Sequence, residues 1–268
     1  MRRTLEITSI IYLCVVWNTG CGSAEKVWPF PPHGPLTGER RLELVGRRVA
    51  AIRAVAALLQ VTLESGKKSG SFEVAVVYER PARLRLVASR GMLLSSVPVF
   101  DLIIVPPRYH LTLYGEGEDG EPEVFSDSLH RFPGRHPDMA GLFWIREVLF
   151  LAGEGIGLQL SNVAAGSGGE PVRVRGRTSD GADVEYLLDD ATSAVLSASL
   201  RIPASGKRFS IEYADYRATD DVYIPQRVEV HGDDGAFSLE AVVIDLEVNQ
   251  PAEPGSLVFP DDSQESSP

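Results

Sequence analysis

Two acidic pairs, Asp189-Asp190 and Asp220-Asp221, are the residues whose type and spacing come nearest to general acid/base chemistry. Paired carboxylates can share protons or flank a reacting bond. Both pairs, however, lie in turn-forming stretches, where Asp side chains cap and solvate the backbone. His130 and His136 stand near Asp127, but their spacing matches no established metal-ligand pattern, so no metal site is expected. Gly153-Glu154-Gly155-Ile156-Gly157 is glycine-rich, yet it follows a helical pattern and cannot open a helix onto a phosphate. There is no G-x-S-x-G elbow, P-loop or H-E-x-x-H motif. The sequence therefore argues for a protein that is not an enzyme, with no catalytic residues and no cofactor.

The remaining chemistry is at the N-terminus. Arg2-Arg3 precedes the apolar run from Ile7 to Trp17, which ends in Asn18-Thr19-Gly20-Cys21. A charged segment followed by a short apolar one is the pattern of a secretory signal. The run is too short for a comfortable permanent span. Asn18-Thr19-Gly20-Cys21 resembles the lipobox of bacterial lipoproteins, in which the cysteine is acylated; an ordinary signal peptide with a chance cysteine is the alternative. Asn18 departs from the usual leucine. Gly22, rather than Asp, implies the outer membrane. Cys14 and Cys21 are the two cysteines, so neither a disulfide nor a thiolate metal site is available to a mature domain.

The chain has 268 residues, 24% charged and 44% hydrophobic, enough for a sizeable core. Its formal net charge of -11 argues against nucleic acid, which needs a basic footprint. Organisation follows as a signal at 1–20, a Pro/Gly-rich tether at 21–35, one domain at 36–260 and an Asp/Ser-rich tail at 261–268.

The elements that would have to position any site are mainly strands. Leu36 to Ala56 reads as a helix capped by Thr37, with Leu42, Val45, Val49 and Ile52 on one face and five arginines elsewhere. That basic surface is either solvated or set against anionic lipid. A strand from Leu59 and a hairpin loop over Glu64–Gly70 lead into Ser71–Tyr114, where apolar residues alternate with polar ones in an antiparallel meander. Val99 to Val105 is apolar on both faces except at Asp101. The connection through Met92, Leu93 and Leu94 carries three large apolar residues in a row, which either fold inward or stand out to engage lipid or a partner. After a polar stretch at 115–137, with a short pairing at Glu123–Phe125, Met139 to Leu151 is apolar nearly all round and reads as a buried helix. Strands return at 157–162, 172–177, 184–189, 194–202, 209–217, 224–229 and 237–248.

This order resembles the LolA/LolB-type lipoprotein carriers and their outer-membrane lipoprotein relatives. The resemblance rests on Arg80-Pro81-Ala82-Arg83-Leu84-Arg85-Leu86, on Gly91-Met92-Leu93 leading into Val99-Phe100-Asp101-Leu102, and on Gly141-Leu142-Phe143-Trp144-Ile145. Ile224-Pro225-Gln226-Arg227 and Leu257-Val258-Phe259-Pro260 also fit. It implies an α+β, mainly β fold: a half-open antiparallel β-barrel of about eleven strands with helices covering the mouth. It further implies an apolar ligand cavity lined by Val74, Val76, Leu84, Leu86, Phe100, Leu102, Leu111 and Leu113, lidded by Leu142, Phe143, Ile145 and Leu149. Met92, Leu93 and Leu94 would be a protruding loop. The expected protein is a monomer anchored through Cys21 to the periplasmic face of the outer membrane. Its partners are acyl chains of lipids or lipoproteins and a periplasmic carrier protein. The alternative of another class is a structural or assembly lipoprotein that docks a protein partner through the apolar loop.

Overall fold

The computed structural model describes residues 30–66, 68–81, 83–91, 96–115, 121–135, 159–164, 171–177, 183–201, 206, 208–219, 222–232, 235, 237–253 and 255–260. Thr37 accepts from the Arg40 backbone N–H and caps helix α1, Gly38–Ala51. The helix ends earlier than the sequence suggests. Ala54, Ala56 and Ala57 favour helix by propensity, but Val55, Leu59 and Val61 are buried at period two, and β1 (Ala54–Ser65) takes the whole stretch. Ser65 pairs with Lys68, so the expected long hairpin loop is a two-residue connection into β2, Lys68–Glu79. Gly66 sits there at φ +61, where a side chain would be strained.

The meander continues through β3 (Arg83–Arg90), β4 (Val97–Val105), β5 (Arg108–Leu113) and β6 (Glu123–Ser128). A 3-10 turn at Leu129–Arg131 and a single-turn helix, α2 (Phe132–Arg135), follow. The second antiparallel run is β7 (Gln159–Ala164), β8 (Val172–Arg177), β9 (Asp183–Leu188), β10 (Val195–Arg201) and β11 (Arg208–Ala214). The short ribbon β12 (Arg217–Thr219) and β13 (Val222–Ile224) stands apart, before β14 (Arg227–Gly232) and β15 (Phe237–Val248). Asp215, at φ 55, breaks the expected strand 209–217, and Pro225, lacking an N–H, breaks 224–229.

Among the described residues the main sheet has thirteen strands rather than about eleven, in the order β6-β5-β4-β3-β2-β1-β15-β14-β11-β10-β9-β8-β7. Its two halves are joined where β1 pairs with β15, and among the described residues β6 and β7 are its end strands, unpaired with one another. The fold is thus mostly β, an open antiparallel barrel-like sheet. Among the described residues no helix is long and apolar enough to cross a membrane.

The outer face of the first half is covered by the chain's own segment 255–260. On the outer face, Arg83 donates to the Leu257 carbonyl at 2.9 Å and Arg85 to the Ser256 carbonyl at 3.3 Å. Arg85 also forks onto Asp101 at 2.7 and 3.1 Å. The segment 255–260 therefore lies across β3–β5 as a strap. Leu257 and Phe259 are buried, Ile103 is buried, and the Arg108 guanidinium stands 4.6 Å above the Phe259 ring.

Candidate functional site

The inner face carries three apolar rungs that cross the strands. One runs Leu111–Leu102–Leu86–Val76–Ala57–Leu246, each residue paired with the next. A second runs Leu113–Phe100–Ala88–Val74–Leu59–Val243. The third runs Tyr109–Ile104–Leu84–Tyr78–Val55–Val248. All eight expected strand residues, Val74, Val76, Leu84, Leu86, Phe100, Leu102, Leu111 and Leu113, lie on these rungs and so on one face. Strict period-two alternation makes this so, since a slip of one residue would send every member outward.

Burial is graded along the strands. The rung through Tyr109, Ile104, Leu84 and Tyr78 is at most 2% exposed in every member, and Phe132 packs edge-on against Tyr109 with ring centroids 4.9 Å apart. At the other end, Leu113, Phe100 and Val243 are only half-buried, as are Phe72 and Phe125. The middle rung is as deeply buried as this first one from Leu111 to Val76. Ala88, Val74 and Leu59 on the remaining rung are buried too, so the lesser cover there is confined to Phe100, Leu113 and Val243, with Phe72 and Phe125. The expected lid residues Leu142, Phe143, Ile145 and Leu149 and the loop residues Met92, Leu93 and Leu94 lie outside the described residues, as do Cys21, the signal 1–20 and the tail 261–268.

Helix α1 packs on the second half, against β7, the β12–β13 ribbon and the β9–β10 turn. Phe30 stacks on Tyr223 with centroids 4.3 Å apart and meets Tyr216 edge-on at 5.0 Å. The space left there is about 20 Å³, lined by Phe30, Val45, Val49, Ile52, Val195 and Tyr216 among others, room for about one water. Tyr216 donates to the Val195 carbonyl at 2.8 Å, and burial pushes its hydroxyl far above the usual phenol range. The Arg48 guanidinium lies 4.5 Å over the Phe30 ring and donates to the Thr192 carbonyl at 2.7 Å.

The same contact holds a polar cluster that the sequence did not announce. Arg41, 5% exposed, donates to the Asp190 carbonyl at 2.8 Å, to its carboxylate and to Ser193 Oγ at 3.2 Å. His33 Nδ1 lies 2.9 Å from the Gly34 carbonyl and its Nε2 lies 2.7 Å from Ser193 Oγ. The carbonyl assigns the ring proton to Nδ1, leaving Nε2 to accept from the Ser193 hydroxyl. A serine hydrogen-bonded to a histidine has the form of a nucleophile and its base. Ser193 is only 2% exposed and its oxygen already receives Arg41, so the arrangement fastens the segment after Phe30 to the β9–β10 turn. The expected tether is thus docked at its C-terminal end, and two of the arginines on α1 face protein. Arg40, Arg47 and Arg53 remain exposed. The only signal available was the Phe30-to-His33 composition, an aromatic and a histidine in a stretch otherwise made of Pro and Gly.

The acid/base and metal candidates separate. Asp189 accepts from the Thr192 backbone and hydroxyl at 2.7 and 2.6 Å, a turn cap as its position suggests. Asp127 pairs with Arg131 and Arg135 at 3.5 and 3.4 Å; the Ser128 backbone N–H, then these arginines, hold its carboxyl below the usual range. Asp220, Asp221, His136 and the His130 side chain are outside the described residues. Among the described residues no group of three His, Cys, Asp or Glu is placed to hold a metal.

No family model matches the chain, and no curated protein matches it in sequence. Solved structures do match in fold. A crystal structure of an outer membrane lipoprotein-sorting protein domain from Vibrio parahaemolyticus superposes with a TM-score of 0.52 at 12% identity, over 82% of this chain and 97% of that one. A LolA superfamily protein from Nitrosomonas europaea gives 0.50 at 8% identity, over 81% and 96%. A DUF1329 family protein from Desulfovibrio piger gives 0.52 at 8%, over 82% and 96%. The protein has a LolA/LolB-like fold.

Proposed function

We propose that the protein is an outer-membrane-anchored periplasmic lipoprotein. It binds the acyl chains of lipoproteins or lipids in an apolar cavity on the inner face of the sheet and takes part in their localisation or transfer. The observation that carries this reading is the graded apolar face: three continuous aliphatic and aromatic rungs, sealed beside α2 and half-open at Phe100, Leu113 and Phe72. The fold shared with a lipoprotein-sorting domain supports it. Acyl carriage needs no catalytic group. It needs apolar area withdrawn from water, at about 0.8 kcal/mol per buried methylene. In this reading residues 36–260 form the carrier domain of a monomer, Cys21 bears the anchor, and Leu142, Phe143, Ile145 and Leu149 lid the cavity. Met92, Leu93 and Leu94 meet the membrane, the cargo or a periplasmic carrier.

The test is binding of fluorescent fatty-acyl probes of increasing length to delipidated protein, with mass spectrometry of what co-purifies. Affinity should rise about tenfold for every two methylenes added. A Phe100→Ala, Leu113→Ala double variant should weaken the longest probe most. Failure of the delipidated protein to bind any acyl probe would overturn the reading.

A further inference from the structure

The outer face of the second half carries a feature that the apolar face does not explain. Strands β8 to β11 alternate at period two, and their outward positions bring Arg175, Arg177, Arg201 and Arg208 together around an open cleft of about 580 Å³. Asp183, Glu185 and Ser199 complete its polar lining. Four guanidinium groups against two carboxylates leave this cleft positive, within a chain whose formal net charge is -11.

The carboxylates are already taken at one side. Arg177 places Nε and Nη2 on the same Asp183 oxygen at 2.9 and 2.8 Å. Glu185 receives Arg175 at 2.6 Å and Arg173 at 3.0 Å, and these arginines, Arg175 first, hold its carboxyl below the usual range. Arg201 sits in register between Asp183 on β9 and Arg208 on β11. Neither Arg201 nor Arg208 has an ion-pair partner among the described residues, and both are exposed.

Directly opposed residues on antiparallel strands have Cβ atoms about 5 Å apart, and like charges in that position destabilise the pair. Two arginines facing one another above a cleft are relieved by a compact anion between them. A carboxylate offers two oxygens and satisfies one guanidinium fork. Inorganic phosphate or a phosphate monoester offers four or three, and takes both forks at once; a diester offers two, splayed tetrahedrally so that each can meet a different guanidinium.

We propose that this cleft is a binding site for a phosphate group, held between Arg201 and Arg208 with Arg175 and Arg177 at its edge. The site is independent of the acyl-binding face: it lies on the opposite side of the sheet and works by charge-assisted hydrogen bonds. It presents the protein to a phosphate-bearing ligand, whether a phospholipid headgroup or a soluble phosphate.

The experiment is calorimetric titration of the full chain with three chain-free probes: inorganic phosphate, glycerophosphoglycerol as the headgroup diester, and a tetraglutamate peptide. Saturable phosphate binding should weaken about tenfold or more in an Arg201→Gln, Arg208→Gln variant. It should survive unchanged in an Arg131→Gln, Arg135→Gln control. Glycerophosphoglycerol bound at least as well as inorganic phosphate assigns the source as a lipid headgroup; inorganic phosphate bound alone assigns a soluble ligand. Circular dichroism and the melting temperature verify that each variant is folded. The proposal is overturned if neither phosphate probe saturates, if the double variant binds as the parent does, or if tetraglutamate binds more tightly than both. None of these outcomes touches acyl-probe affinity, so the two readings fail separately.

Discussion

The outer face of β3–β5 and the outer face of β8–β11 are written in the same alphabet, arginine alternating across strands with Asp or Glu, and end up in opposite states. On β3–β5, Arg85 and Asp101 pair beneath a strap of the protein's own chain, with side chains 31% and 17% exposed. On β8–β11, Arg177 and Asp183 make a pair of the same kind at 68% and 50% exposure. The difference is made by what stands beside the pair. Ile103 and His110 give Leu257 and Phe259 an apolar landing. Around the arginine cleft the neighbouring outward residues are Ser199 and further charges, and an apolar segment would gain nothing there. An ion pair does not by itself decide whether a sheet face is covered; the apolar residue one rung away does.

The comparison can be broken most forcefully at the strap. Phe259→Ala should cost about 3–5 kcal/mol in denaturant unfolding, the usual loss for a buried aromatic. Ser199→Ala in the open cleft should stay within about 0.5 kcal/mol. Equal effects would erase the distinction between the faces. Next comes Asp101→Asn, which leaves Arg85 half-buried without its carboxylate. A loss of about 1–3 kcal/mol is expected, read from the shift of the denaturation midpoint. The smallest effect is Glu185→Gln, below about 1 kcal/mol near neutral pH because its partners are solvated. Its signature is the pH profile. The carboxyl is depressed in the folded state by Arg175 and Arg173, so its stabilisation is present above the ordinary carboxylate range and lost as pH falls through the folded value. The variant should flatten that acid limb of the stability curve; an unchanged limb would show the pairs to be ornamental.

How far the sequence foretold this architecture differs from element to element. The inner rungs were legible because Leu84-Arg85-Leu86 and its counterparts leave one residue in two apolar, and a strand has one way to bury that pattern. The doubly apolar run Val99–Val105 carried a further signal, burial on both faces, and Ile103 beneath the strap is its fulfilment. Arg41 and Arg48 were not legible. Their stripe on an amphipathic helix is the same whether it faces water or Asp190 and Thr192, and the latter lie more than a hundred residues away in sequence. The start of β1 was obscured by alanine, whose helical preference is overridden by partners on both sides. The arginine cleft needed the register: Arg177, Asp183, Arg201 and Arg208 become one row only once three hairpins are paired.

The seam between β1 and β15 sets the order in which the molecule can assemble. Asn249, just past the last strand, accepts from the Arg53 backbone N–H, a contact spanning 196 positions. The first hairpins pair between near neighbours and can form early, but β1 keeps a bare edge until the final strand arrives. Folding speed falls as such distant pairings accumulate. A nascent chain must therefore carry β1 with one edge unmatched, exposed to mispairing, until Phe237–Val248 has emerged.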